Sequence, residues 1–128
     1  MFNVYEWNKK IYRNEDGSWY KPEENLTDEK LWELFQIKSW PKFKDAYSFH
    51  TPPKWNEDVI QFIIQVQKEL NNKIEFIQIK EKWCRFTVYF KTADILAENR
   101  LKELQKECID RLISKGVHPP TQGEESNE

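Results

Sequence analysis

The side chains best placed to do chemistry fall in one stretch, Lys73 to Lys91, KIEFIQIKEKWCRFTVYFK, where Lys80, Lys82 and Arg85 are interleaved with Trp83 and Tyr89. Cations set among rings can neutralise a phosphate while stacking a base. Lys80, Lys82, Trp83, Arg85 and Tyr89 are therefore the expected ligand-binding residues, for a small anionic, nucleotide-like ligand. The plainer alternative is a solvated sheet face, whose lysines guard against edge aggregation and whose long stems cover ring surface. Catalytic sets are thin elsewhere. Gly17, Gly116 and Gly123 are the only glycines and none joins a strand to a helix, which excludes a phosphate-cradling loop. No serine sits in a nucleophile elbow. His50 and His118 are too few for a histidine relay or a multi-histidine metal site. Cys84 and Cys108 fit no CxxC or zinc spacing, so neither a metal nor a cofactor is expected. Glu75 and Glu81 remain as acids for general acid–base work, but solvated carboxylates are the simpler reading, and the chain reads as non-catalytic.

These residues need a hairpin to present them. Strand alternation puts Cys84, Phe86, Val88 and Phe90 on one face of its second strand, and Trp83, Arg85, Thr87, Tyr89 and Lys91 on the other. In the first strand, Ile77 and Ile79 fall on one side and Ile74, Phe76, Gln78 and Lys80 on the other. A second hairpin is expected at the N-terminus, from Val4 to Tyr12 and Ser18 to Tyr20, around the turn-forming Asn14–Gly17. Trp7 and Trp19 in it are expected partner-binding residues. Thr27 reads as the cap of a helix from Asp28 to Lys38, with Leu26 and Leu31 as a hydrophobic staple. The aromatic, proline-rich segment from Ser39 to Lys54 either straps the core or offers Trp40 and Tyr47 to a partner. Asn56 is expected to cap a helix from Glu57 to Asn71, striped by Val59, Ile63, Val66 and Leu70 and joined by Phe62 and Ile64. Thr92 is expected to cap a last helix reaching Lys115, striped by Ala97, Leu101, Leu104, Cys108 and Leu112, with Glu98–Lys102 and Glu107–Arg111 pairs outside. Gly116 supplies its stop.

The expected fold is α+β: an antiparallel sheet built from an N-terminal and a central β-hairpin, with about three helices packed mainly on one face. The 128 residues suit one compact domain, residues 1–116, followed by a disordered acidic tail, 117–128. The tail's last eight residues, TQGEESNE, carry three of the acids behind the net charge of -2, which leaves the body near neutral. A near-neutral body lacks the field that duplex nucleic acid demands. An aromatic content of 15% in so polar a chain favours a recognition surface. Free thiols suit a reducing, cytoplasmic compartment, and no apolar run reads as a leader or a membrane span.

The segment QIKEKWCRFTVYF, Gln78 to Phe90, resembles a motif of small phage and prophage proteins in which QIKEKFG leads into LRFYY. Gln78, Ile79, Lys80, Glu81, Lys82, Arg85, Phe86 and Tyr89 match it, and Trp83 replaces its Phe. Those proteins also place a Trp-led helix before the segment, like Trp55 to Leu70, and a helix after it, like Asp94 to Ser114, so the resemblance covers about half of the chain. Cys84 stands where the motif has glycine. The CxxCG ending common in that group is missing, since Cys108 is followed three places later by Arg111. The resemblance implies a phage or mobile-element origin and, with it, the host cytoplasm. The leading expectation is a non-catalytic binding protein, a phage accessory or counter-defence factor that masks a host protein or sequesters a small anionic ligand. The alternatives are an enzyme acting on a nucleotide or nucleic acid through acids near the hairpin, and a structural subunit of a homodimer or higher homo-oligomer.

Overall fold

A computed structural model describes residues 2–21, 49–70 and 73–120. Its elements are helix α1 (Val4–Tyr12), a two-residue strand β1 (Phe49–His50), helix α2 (Asn56–Leu70), strands β2 (Glu75–Lys82) and β3 (Arg85–Lys91), and helix α3 (Ile95–Ser114). The class is α+β, as expected. β2 and β3 form the antiparallel hairpin, and β1 adds to the other side of β2 in parallel, with Phe49 opposite Ile79 and His50 opposite Lys80. The expected helix from Asp28 to Lys38, Trp40, Tyr47 and residues 121–128 lie outside the described residues.

The N-terminal hairpin is corrected to a helix. Asn3 accepts hydrogen bonds at Oδ1 from the Tyr5 and Glu6 amides, and Val4, Trp7 and Ile11 recur at helical spacing on the face that reaches the core. Ile11 is fully buried. The turn at Asn14–Gly17 is where the sequence put it, and returns the chain so that Arg13 bridges Trp19 and Tyr20 stacks on Tyr12 at 4.9 Å.

β3 alternates as expected, with Phe86 and Val88 buried and Tyr89 outward. β2 does not keep one phase. Phe76 pairs with Phe90 and Gln78 with Tyr89, so Ile77 is an extra residue, a β-bulge that switches the strand's inward set from Ile74 and Phe76 to Ile79. Ile74 and Phe76, expected outside, are therefore core residues. All five α3 stripe residues are buried, as are Val59, Phe62, Ile63, Val66 and Leu70 of α2, whereas Ile64 is turned to solvent. Phe62 meets Phe76 and Phe86 edge-on, at 6.3 and 5.3 Å between ring centroids.

Both caps shift. Asn56 is helical, entered through a 3-10 turn at Pro53–Trp55, and its buried Oδ1 has no partner. Asp94, not Thr92, caps α3, accepting from the Leu96 and Ala97 amides, while Thr92 Oγ1 accepts from the Asp94 amide and donates to the Lys73 carbonyl. On the helix surfaces Arg111 reaches Asp58 and Arg100 reaches Glu69 and Glu103. Asp58, 2% exposed, holds the start of α2 to the end of α3 through Arg111 Nε at 3.1 Å and Lys115 Nζ at 2.8 Å.

The compact unit extends past residue 116. Gly116, at φ +74°, reverses the chain after α3, and residues 117–120 return as a strap against the sheet. Trp55 Nε1 donates to the Val117 carbonyl at 2.7 Å, the Phe86 amide donates to His118 Nε2 at 3.0 Å, and Arg85 Nη1 donates to the Pro120 carbonyl at 2.9 Å. His118 is 2% exposed, and with Nε2 accepting, Nδ1 carries the proton toward the Pro119 carbonyl.

Two predictions follow from these buried polar groups. Asp58→Asn is expected to cost about 2–3 kcal/mol by urea unfolding, below the loss for a fully enclosed pair because the cations can turn to water. Arg111→Met with Lys115→Met is expected to cost more, since it strands the buried acid; an equal or smaller loss would contradict the assignment. Burial lowers the His118 pKa, the Arg85 charge adds to the effect, and the bond to the Pro119 carbonyl opposes both. Below the ordinary value of about 6.5 the unfolded chain then binds the proton more readily than the folded one. Stability is therefore constant in this respect above that value and falls as the pH drops below it. Thermal unfolding at pH 7.5 and pH 5 should show a larger drop in Tm for the wild type than for His118→Gln.

Candidate binding surface

The hairpin turns on two residues, Trp83 and Cys84, between the paired Lys82 and Arg85. Both have positive φ, 54° and 64°, as a two-residue turn matched to strand twist requires. Asparagine and glycine normally fill these positions, because a side chain there costs on the order of 1–2 kcal/mol per residue.

Two contacts hold the turn in place. The Cys84 side chain points inward against α1, its Sγ 3.3 Å from Asn8 Oδ1 and 3.7 Å from the Val4 carbonyl. The Cys84 amide donates to Glu81 Oε2 at 2.8 Å, and the other Glu81 oxygen accepts from the Tyr12 hydroxyl. Burial, followed by the Glu81 carboxylate, pushes the Tyr12 phenol far above its ordinary value, so it stays a donor at any physiological pH. Burial, then Glu81, raises the Cys84 thiol to about 11 against the opposing pull of Arg85.

Trp83 is left standing at the tip, 65% exposed, with Lys82 exposed beside it. Lys80 and Tyr89 come together on the outer face, the ammonium 5.4 Å from the ring centroid, next to Thr87 and to His50 of β1. Arg85 is placed differently. Its guanidinium lies 5.0 Å from the Phe2 ring and bonds the Pro120 carbonyl, so its side chain is engaged with both ends of the domain.

Of the expected partner-binding residues, Trp7 packs against the core with Lys10 over its ring at 4.5 Å. Trp19 is 52% exposed, with Arg13 at 4.7 Å over its ring. Tyr20, its neighbour, stacks on Tyr12, whose hydroxyl donates to Glu81. Tyr5, another N-terminal aromatic, is also exposed and follows the Val4 carbonyl that meets Cys84.

Glu75 and Glu81 stand at opposite ends of β2, about 20 Å apart at strand rise, and so do not form a carboxylate pair. Among the described residues no group of three or more His, Cys, Asp or Glu is placed to hold a metal, and no helix is long and apolar enough to cross a membrane.

Glu81→Gln and Tyr12→Phe should each destabilise the fold by about 1–2 kcal/mol. In a double-mutant cycle the two changes should couple by more than about 0.5 kcal/mol; additive losses would show that the link between α1 and the turn carries no energy. Comparison with known proteins gives no matching family model, no matching curated sequence and no matching solved structure.

Proposed function

We propose that this is a non-catalytic binding protein that works by occupying a partner protein with its hairpin tip. The observation that carries this reading is Trp83: a large ring, 65% exposed, on a turn of positive φ whose second residue, Cys84, is tied down by two part-buried contacts. A costly backbone conformation beneath an exposed aromatic points to a functional position. A ring carried on a turn that is already tied down costs less backbone freedom on docking, and Trp is among the residue types most often dominant at interfaces.

The tip is convex, which suits insertion into a partner's pocket better than enclosure of a small molecule. Lys82 beside Trp83, with Lys80 further along β2, favours a partner whose pocket has an acidic rim. The phage resemblance suggests the setting, a counter-defence factor masking a host protein. The pairing of Lys80 with Tyr89 supports a second reading, capture of a small anionic, nucleotide-like ligand on the outer face.

A photo-crosslinking amino acid in place of Trp83, introduced in expressing or infected cells, tests both readings. A discrete protein adduct supports masking, a nucleotide-sized adduct moves the assignment to the outer face, and the absence of any adduct overturns the tip. With a crosslinked partner in hand, Trp83→Ala should weaken binding at least tenfold, about 1.4 kcal/mol or more. Lys80→Ala with Lys82→Ala should mainly slow association and flatten its salt dependence.

A further inference from the structure

We propose that the edge of β3 at Val88–Phe90 is a second docking site, separate from the tip, for an extended segment of a partner protein that adds to the sheet as a further strand. The hairpin register fixes which backbone groups face outward. Phe86 sends its amide to His118 Nε2 and its carbonyl to Gln105 Nε2, away from β2. Outward and inward backbone groups alternate along an antiparallel pair, so those of Val88 and Phe90 point the same way as those of Phe86. Among the described residues no strand lies beyond β3, and no hydrogen bond reaches these outward groups. One step of the edge is thus covered by side chains, and the next two are bare among the described residues.

Beside the bare steps an open groove of about 810 Å³ curves round the end of β3, walled on its far side by Glu98 and Lys102 of α3. Ile95 lies three and seven residues before those two, on the same helix face, and is 70% exposed; Leu96 next to it is 76% exposed. Two exposed aliphatics in the first turn of α3 form an apolar ledge one helical turn before the groove's Glu98 wall.

The occupant's chemistry follows from what is unpaired. Donors and acceptors repeating at every second residue are matched by an extended backbone, the mode by which peptides add to exposed sheet edges. The ledge calls for an apolar side chain in that segment. The charges around the groove are already offset: Lys73 lies 3.7 Å from Asp94, Lys91 faces Glu75 across the ladder, and Glu98 and Lys102 sit one helical turn apart. An uncharged segment therefore fits better than an anion. A second copy of the chain fits poorly for a steric reason. Pairing β3 with itself about a two-fold at Tyr89 would set each 117–120 strap against the other copy's turn at Thr92–Asp94.

Panning a displayed library of random dodecapeptides against the full chain, with the enriched peptide then followed by NMR of backbone amides, tests the site. The expected result is peptides with alternating apolar residues that shift the Val88 and Phe90 amides and protect them from exchange. Ile95→Lys, at an exposed position where folding should be unaffected, should weaken binding about tenfold, and Trp83→Ala should leave it unchanged. Failure to enrich any peptide, shifts that map elsewhere, affinity untouched by Ile95→Lys, or affinity lost in Trp83→Ala would each overturn the site. So would protection of these amides that grows with protein concentration alone, which would assign the edge to a second copy.

Discussion

A fully buried indole must find a partner for its N–H, and most of this fold is arranged around that demand at Trp55. The Val117 carbonyl supplies it at 2.7 Å, which requires the chain to double back after α3, hence the left-handed Gly116. Once the chain has returned, His118 lies 5.6 Å from the indole and bonds the edge of β3, and the Pro120 carbonyl is delivered to Arg85. Trp55 also meets Phe86 edge-on at 6.2 Å. One side chain thus joins the turn that leads into α2, the start of β3 and the segment after α3. The Asp58 cluster repeats that tie one turn along, with charge in place of an aromatic ring.

The parts of the fold that were legible in the sequence are those whose burial follows one uninterrupted period. The α3 stripe from Ala97 to Leu112 is one, and β3 is another. Where a local device interrupts the period, the reading fails. The bulge at Ile77 moved Phe76 from the outer face to the core, and nothing in EFIQIK announces a bulge. In VYEWNKKIY the aromatic content suggested a strand, yet Asn3 capping the Glu6 amide and the spacing of Val4, Trp7 and Ile11 select a helix. The strap was read as tail because His-Pro-Pro looks like a terminator when its partner, Trp55, lies 62 residues away.

The candidate site divides along the same line. Trp83, Lys82, Lys80 and Tyr89 were visible as rings among cations, a property of adjacent residues. The engagement of Arg85 with Phe2 and Pro120, and of Glu81 with Tyr12, depends on contacts between distant parts of the chain. Glu81 was read as a solvated acid or one half of a catalytic pair. It is the residue that lets a Trp-Cys pair stand where Asn-Gly would be the easy choice, because it accepts from the turn with one oxygen and from α1 with the other. The hairpin consequently has two unlike ends, a tip tied to α1 and, among the described residues, an unpaired edge where β3 gives way to α3.

The two thiols carry one more consequence. Burial pushes Cys84 to about 11 and Cys108 to about 12, and Cys108 spends its sulfur on the Asp58 carbonyl. At neutral pH fewer than about one in a thousand of either would be thiolate, the form that oxidants and alkylating agents attack. Burial and protonation together keep both thiols away from peroxide, glutathione disulfide and electrophiles in the folded protein, so thiol reactivity is a gauge of unfolding.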